Sequence, residues 1–156
     1  MEKIVIGKYV STHGIKGEIR IKSNFKYKDK VFIVNNNIFI GDTKFTIKSY
    51  RVHKGYDMVT LDGINNINEI LNLKGSLVYI NKDDLKLKSD EYLDSDLIGF
   101  DVYMDNELKG KVLDINYLIK DKKLLVIENK LVPFELVKKI DFNNKKIEIE
   151  KVDGLL

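Results

Sequence analysis

The segment GIKGEIRIK, Gly14–Lys22, sets two glycines three residues apart and follows them with alternating apolar and charged residues. That continuation decides the fold. A phosphate loop of the strand–loop–helix kind needs G-x-x-x-x-G-K-[ST] order and a helix behind it, whose N-terminal amides hold the pyrophosphate. Here Glu18, Ile19, Arg20, Ile21 and Lys22 alternate with a period of two, the pattern of a half-buried strand. Gly14 and Gly17 then serve a tight connection between strands, with positive φ at one or both. A nucleotide-driven motor or kinase does not fit.

The same alternation spreads outward. Residues Lys3–Val10, Glu18–Lys22, Val31–Val34, Ile38–Ile40, Lys44–Val52, Met58–Leu61 and Ser76–Ile80 all read as strands rich in β-branched and aromatic side chains. Hairpin turns are expected at Asn35–Asn37 and at His53–Lys54–Gly55, because Asn and Gly tolerate positive φ. One helix is expected in GINNINEILNLKG, with Asn66 as cap, Glu69 reaching back to it and Gly75 as stop. Many strands, short turns and a single short helix indicate a small antiparallel barrel rather than a βαβ sheet.

The polar run from Asn81 to Asp94 reads as a linker. Beyond it, strands are expected at Phe100–Met104, Lys111–Ile119, Leu124–Glu128, Leu131–Phe134 and Lys146–Glu150, with turns at Asp105–Asn106, Asp121–Lys123 and Asn143–Asn144. Glu135–Lys139 reads as a short helical turn, and Pro133 must lie at an edge or strand end, where its missing N–H is harmless. The expected organisation is therefore all-β with one or two short helices: a barrel over 1–84, a linker over 85–95 and a second β unit over 96–156.

Composition narrows the function. Hydrophobic residues make up 44% of the 156, enough for buried cores. Cysteine is absent, which removes disulfides, thiolate nucleophiles and Cys-based zinc sites and suits a reducing cytoplasm. No apolar run approaches the length of a membrane span, and the start lacks a secretory core. Residues 1–84 carry 14 basic and 9 acidic residues, whereas 85–156 carry 13 basic and 15 acidic. A basic half beside a mildly acidic half fits units with different partners, nucleic acid for the first. A lysine- and asparagine-rich composition without alanine gives the same asymmetry without function.

The chemistry-bearing residues cluster around the opening hairpin. His13 needs Glu18 as orienter and Ser11 as nucleophile to form a catalytic relay, and nothing in the spacing assembles one. His13 and His53 are the only imidazoles and lack metal-ligand spacing, so no metal site is expected. A basic, glycine-lined rim fits better, provided the His53–Lys54–Gly55 turn lies at the same end of the barrel as Gly14–Gly17, beside Arg51 and with Tyr56 free to stack on a base. A solvated loop is the plainer alternative.

The string GKYVSTHGIKGEIRIKS resembles the opening of the RimM family, roughly G-K-x-x-x-x-H-G-I-K-G-E-[VI]-R-V, with Gly7, Lys8 and His13 through Arg20 in register. The resemblance continues at His53, Lys54, Gly55, Gly63, Ile64, Glu69, Leu73, Lys74 and Gly75. It extends to Asp96–Gly99, to Gly110, Val112, Asp114 and Ile115, to Pro133–Phe134 and to the closing Asp153–Leu156. Two features depart from it: the paired aromatic after the linker is Tyr92–Leu93, and NYLIKDKKLL replaces the usual G-A-N-D-V-L turn.

The resemblance implies a translation-factor-type barrel followed by a PRC-type barrel, in a cytoplasmic ribosome assembly factor that is not an enzyme and carries no cofactor. Its implied partners are the precursor of the small ribosomal subunit, the 16S rRNA of the head and the head protein S nineteen. His13, Gly14, Lys16, Gly17, Arg20, Arg51, His53 and Lys54 are the expected rRNA contacts. Tyr92, Leu93, Pro133 and Phe134 are the expected contacts to the ribosomal protein. No uncovered apolar stripe is legible, so a monomer is expected. A general RNA-binding barrel and a flavin- or metabolite-binding barrel remain the alternatives.

Overall fold

Gly14–Gly17 turns the chain between β1 (Lys3–His13) and β2 (Glu18–Lys22), which pair antiparallel with His13 opposite Glu18. The structure is a computed structural model that describes residues 2–117 and 122–156. It divides into two units, the first ending at Lys86 and the second running from Leu87 to Leu156.

Four further strands complete the first unit: β3 (Asn37–Ile40), β4 (Thr43–His53), β5 (Tyr56–Leu61) and β6 (Leu77–Asn81). They close into an antiparallel barrel in the order β1-β2-β5-β4-β3-β6, with β6 returning to β1. Alternation selects the inward face: Ile6, Ile19, Ile21, Ile38, Ile40, Ile47, Val59, Leu61, Val78 and Ile80 are all buried. Each such side chain contributes about 1.5–3 kcal/mol through its removal from water. Closure also leaves this sheet no free edge to pair with another chain.

The hairpin at His53 forms as its sequence demands, with Lys54 at φ 52° and Gly55 at φ 81°, the left-handed pair that a two-residue β-turn requires. The expected strand Val31–Val34 does not form. Lys28–Val31 is instead a single helical turn, α1, and Phe32 stacks on Tyr50 at 5.6 Å. Asn35–Asn37 is accordingly no hairpin: Asn35 N donates to Ile47 O, and Ile47 N donates to Asn36 O, which seals this segment onto β4. The true hairpin turn is Gly41–Asp42.

The expected helix over 63–75 is also corrected. It resolves into two successive 3-10 turns, Ile67–Glu69 and Leu71–Leu73. Asn66 caps the first by accepting from Asn68 N, and Glu69 reaches Asn65 N. Only Ile70 of this run is buried, so the apolar face needed to hold a short α-helix is missing.

In the second unit, β7 (Asp101–Met104), β8 (Glu107–Asn116), β9 (Leu124–Ile127), β10 (Lys130–Pro133), β11 (Val137–Asp141) and β12 (Lys146–Ile149) form one sheet in the order β10-β9-β8-β7-β12-β11. The β12–β7 pair is parallel. The two outer strands are neighbours in sequence, separated only by the 3-10 turn Phe134–Leu136. That short connection obliges the sheet to roll, so that its inner face encloses one core of Leu97, Phe100, Val102, Val112, Leu125, Ile127, Val132, Ile147 and Ile149. The helical turn expected over Glu135–Lys139 is thus mostly strand, because Val137 and Ile140 pack on this core. Pro133 ends β10, where no neighbour needs its N–H. Strand β8 begins four residues before the expected Lys111, and the expected end at Ile119 and turn residue Asp121 lie outside the described residues.

One buried charge marks the barrel. Asp57 is 2% exposed, accepts from Tyr50 OH at 2.6 Å and pairs with Lys28 Nζ of α1 at 2.8 Å. Burial, and next the bond to Asp57, push the Tyr50 phenol up from 10.0 to about 12. A phenol that holds its proton more tightly when folded lends stability that is complete below its unfolded pKa and lost as pH rises through the folded one. Tyr50→Phe should therefore cost about 1–3 kcal/mol in urea unfolding at neutral pH, by leaving a buried carboxylate oxygen without its donor. It should also flatten part of the stability loss between pH 10 and 12. An unchanged unfolding midpoint at neutral pH would contradict this account.

Candidate nucleic-acid interface

Because Ile19 and Ile21 point into the barrel, Glu18 and Arg20 point out. The register carries that outer face across four strands, with Ser11 (β1), Arg20 (β2), Met58 (β5) and Arg51 (β4) in one row. The chain's only two arginines thus stand in the same row on either side of β5.

Each arginine is held differently. Arg51 grips Glu18 with two hydrogen bonds, Nε to Oε2 at 2.9 Å and Nη2 to Oε1 at 2.7 Å. The Arg51 bonds hold the Glu18 carboxyl below the usual carboxylate range, against the opposing effect of burial, and the same pair raises Arg51. Arg20 Nη2 lies 2.7 Å from His13 Nδ1. A guanidinium can only donate, so Nδ1 accepts and the ring proton sits on Nε2. The His13 ring stands 5.4 Å from that of His53, tilted by 60°. His53 is lowered, first by burial of its ring and then by Arg51, His13, Lys54 and Arg20. Its Nδ1 is buried without a hydrogen-bond partner among the described residues.

The arrangement sums to positive charge. Glu18, the carboxylate of this face, is already neutralised by Arg51. Among the described residues, neither Lys16 nor Lys54 has a carboxylate within ion-pair distance, and both are exposed. A shallow groove beside the turn of the first hairpin is lined by His13, Lys16, Glu18, Ser49, Arg51 and Thr60. The relay reading of these residues fails on geometry, since Glu18 is engaged by Arg51 and His13 Nδ1 by Arg20. Among the described residues, no group of three or more His, Asp or Glu side chains can hold a metal ion.

Of the expected rRNA contacts, the structure gathers His13, Arg20, Arg51 and His53 on one face. The rim expectation is corrected. With Ile19 opposite Val59 and Ile21 opposite Asp57, the Lys54–Gly55 turn lies at the far end of β2 from Gly14–Gly17. Lys16 and Lys54 therefore bracket the face from its two ends, and Tyr56, opposite His53, is half-buried. Gly14 and Gly17 shape the loop and carry no charge. The sequence reading missed what braces that loop: Ile67 N donates to Ile15 O at 2.9 Å, and Gly17 lies against Ile64 and Asn66. No local pattern ties residues 14–17 to 64–67.

The second expected set fares unevenly. Leu93 is 7% exposed and is withdrawn as a contact, because it belongs to the buried interior. Tyr92 is half-buried against the core of the second unit, its ring 5.2 Å from Phe142. Pro133 is half-buried at the end of β10, and Phe134 has Lys123 Nζ 3.7 Å over its ring. Lys123 also pairs with Asp94 at 2.8 Å, and Asp94 accepts from Tyr117 OH. Burial, followed by that bond, raises the Tyr117 phenol. Phe142, Asp94, Lys123 and Tyr117 were not singled out from sequence, because only the rolled sheet and the turns around it bring them together.

Fold and face define an all-β protein of two units, the first a barrel with a cation-lined outer surface. The RimM N-terminal domain family matches residues 4–85. A protein of Staphylococcus aureus (strain MRSA252), called ribosome maturation factor RimM, is 42% identical over 168 aligned positions that cover 99% of each chain. Its counterpart in strain JH9 is 41% identical with the same coverage. Among solved structures, a 16S ribosomal RNA processing protein RimM from Pseudomonas aeruginosa is 20% identical with a TM-score of 0.48, covering 97% of this chain and 98% of that one. The N-terminal domain of RimM from Thermus thermophilus is 19% identical with a TM-score of 0.49, covering 56% of this chain and 98% of that domain. The chain belongs to the RimM family of ribosome maturation factors.

The Arg20–His13 bond is directly testable. In nitrogen-15 NMR spectra at neutral pH, His13 Nδ1 should be the unprotonated ring nitrogen, and Arg20→Gln should remove that preference. A proton found on Nδ1 would mean that the guanidinium does not reach the ring.

Proposed function

We propose that this protein binds the immature head of the small ribosomal subunit and promotes maturation of its 16S rRNA without chemistry of its own. The observation that carries the reading is the outer face of the barrel. Two arginines and two imidazoles meet there, exposed Lys16 and Lys54 flank them from the two ends, and the local carboxylate is consumed internally. Such a surface attracts phosphates and offers bases polar edges and ring faces. Family membership directs it to the ribosome rather than to RNA in general.

Without an energy source, the factor acts by differential binding. It favours one conformation of the head over its competitors and leaves when the mature surface no longer suits it. The second unit docks the head protein S nineteen. From Leu85 onward the chain has 15 acidic against 13 basic residues, which favours a basic partner. Tyr92, Pro133 and Phe134 are the half-buried anchors there, each with an exposed edge that a partner can cover. These roles place the protein in the cytoplasm, where subunits are assembled. No described helix is long and apolar enough to cross a membrane.

The test is equilibrium binding to purified immature small subunits over a range of salt. Lys16→Ala with Lys54→Ala should weaken binding at low salt and flatten its logarithmic salt dependence by about 0.7–0.9 for each phosphate that is no longer neutralised. Wild-type slope in the double variant would remove phosphate binding by these lysines from the account.

A further inference from the structure

At the tip of the first hairpin stands Ile15, 80% exposed, the most exposed large hydrophobic side chain among the described residues. A solitary exposed isoleucine on a loose loop is ordinary. This one is fixed. Its own carbonyl accepts from Ile67 N at 2.9 Å. Two residues on, Gly17 lies so close to the neighbouring segment that a Cβ there would stand 2.8 Å from Ile64 Cγ2 and 3.3 Å from Asn66 O. With φ at +92°, Gly17 also holds a conformation that other residues resist. The backbone that leaves Ile15 is thus braced while its side chain faces water.

The surroundings of the tip are basic. Lys16 follows it directly, and the groove beside it holds His13 and Arg51, with Glu18 already bound by Arg51. A basic protein would be repelled by this ring. An acidic protein would satisfy the cations but gives an isoleucine no flat apolar slot bordered on both sides by anionic charge. The step between two stacked bases is such a slot, with a phosphate on each side, and apolar side chains enter it as wedges that unstack the pair. Looped or bulged RNA, whose bases already splay, yields most cheaply. A braced tip also loses little freedom on insertion.

We propose that Ile15 is a wedge inserted between two bases of rRNA, with Lys16 on a flanking phosphate. This rests on the rRNA-binding function proposed for the barrel face and specifies how that face engages its substrate.

The absence of cysteine from the chain makes the test clean, since Ile15→Cys supplies a unique thiol for an aryl-azide photocrosslinker. With purified immature small subunits, that probe should crosslink to 16S rRNA at one base step. Ile15→Ala should bind these subunits roughly ten-fold or more weakly with the salt slope unchanged, because the substitution removes apolar surface and no charge. Ile15→Leu should stay within about two-fold of wild type. The melting temperature of Ile15→Ala should match that of wild type, because the side chain is exposed. Crosslinking to a ribosomal protein instead, or Ile15→Ala binding within about two-fold of wild type, would overturn the wedge while leaving the rRNA-binding function intact. Failure of the wild-type protein to bind the subunits would overturn both.

Discussion

Glu18 accepts both arms of Arg51 across the intervening strand β5, and the character of the barrel's outer face depends on that pair. A bidentate carboxylate–guanidinium bond is geometrically exacting, and its two partners come from strands far apart in sequence. It forms only if β2, β5 and β4 stand in their observed register. Its main consequence is electrostatic, since half-exposed pairs contribute little to stability. With the acid occupied, Glu18 neither orients His13 as a catalytic partner would nor opposes an approaching phosphate. His13 turns to Arg20 instead, and the two imidazoles come together at the centre of the face.

Much of the architecture was legible because a closed barrel writes period-two alternation into every strand. Glu18–Lys22, the β4–β5 hairpin and its Lys54–Gly55 turn followed from local chemistry, as did the place of Pro133 at a strand end. The misreadings share a cause. Val31–Val34 is apolar enough for a strand, but the asparagines behind it bond to β4 and Phe32 stacks on Tyr50, so tertiary contacts hold it as a turn. The run from Ile67 to Leu73 has helical spacing but buries only Ile70. Glu135–Lys139 reads as a helical turn because Lys138 and Lys139 break the period-two pattern, yet Val137–Asp141 is an outer strand that pairs with β12.

The candidate site was legible in its residues and not in its arrangement. Glycine and charge content pointed to His13, Lys16, Arg20, Arg51, His53 and Lys54. Nothing local says that the two glycine turns lie at opposite ends of the strands, or that Glu18 is spent on Arg51, because both facts belong to strand register. Buried Asp57 was invisible for the same reason: its partners, Tyr50 and Lys28, come from β4 and α1. On the second unit, the resemblance offered Leu93 as a contact residue through its place beside Tyr92 after the linker, and it is buried in the structure.

In the function proposed above, the two units divide the labour of an assembly factor: the barrel offers its cations and apolar tip to RNA, and the rolled, mildly acidic sheet offers half-buried anchors to a basic protein. The most direct test of this account is sedimentation of the tagged protein through a density gradient of cell lysate at gentle salt. The tagged protein should migrate with free small subunits and their precursors, and not with assembled ribosomes. Protein confined to the top of the gradient would contradict the proposed function.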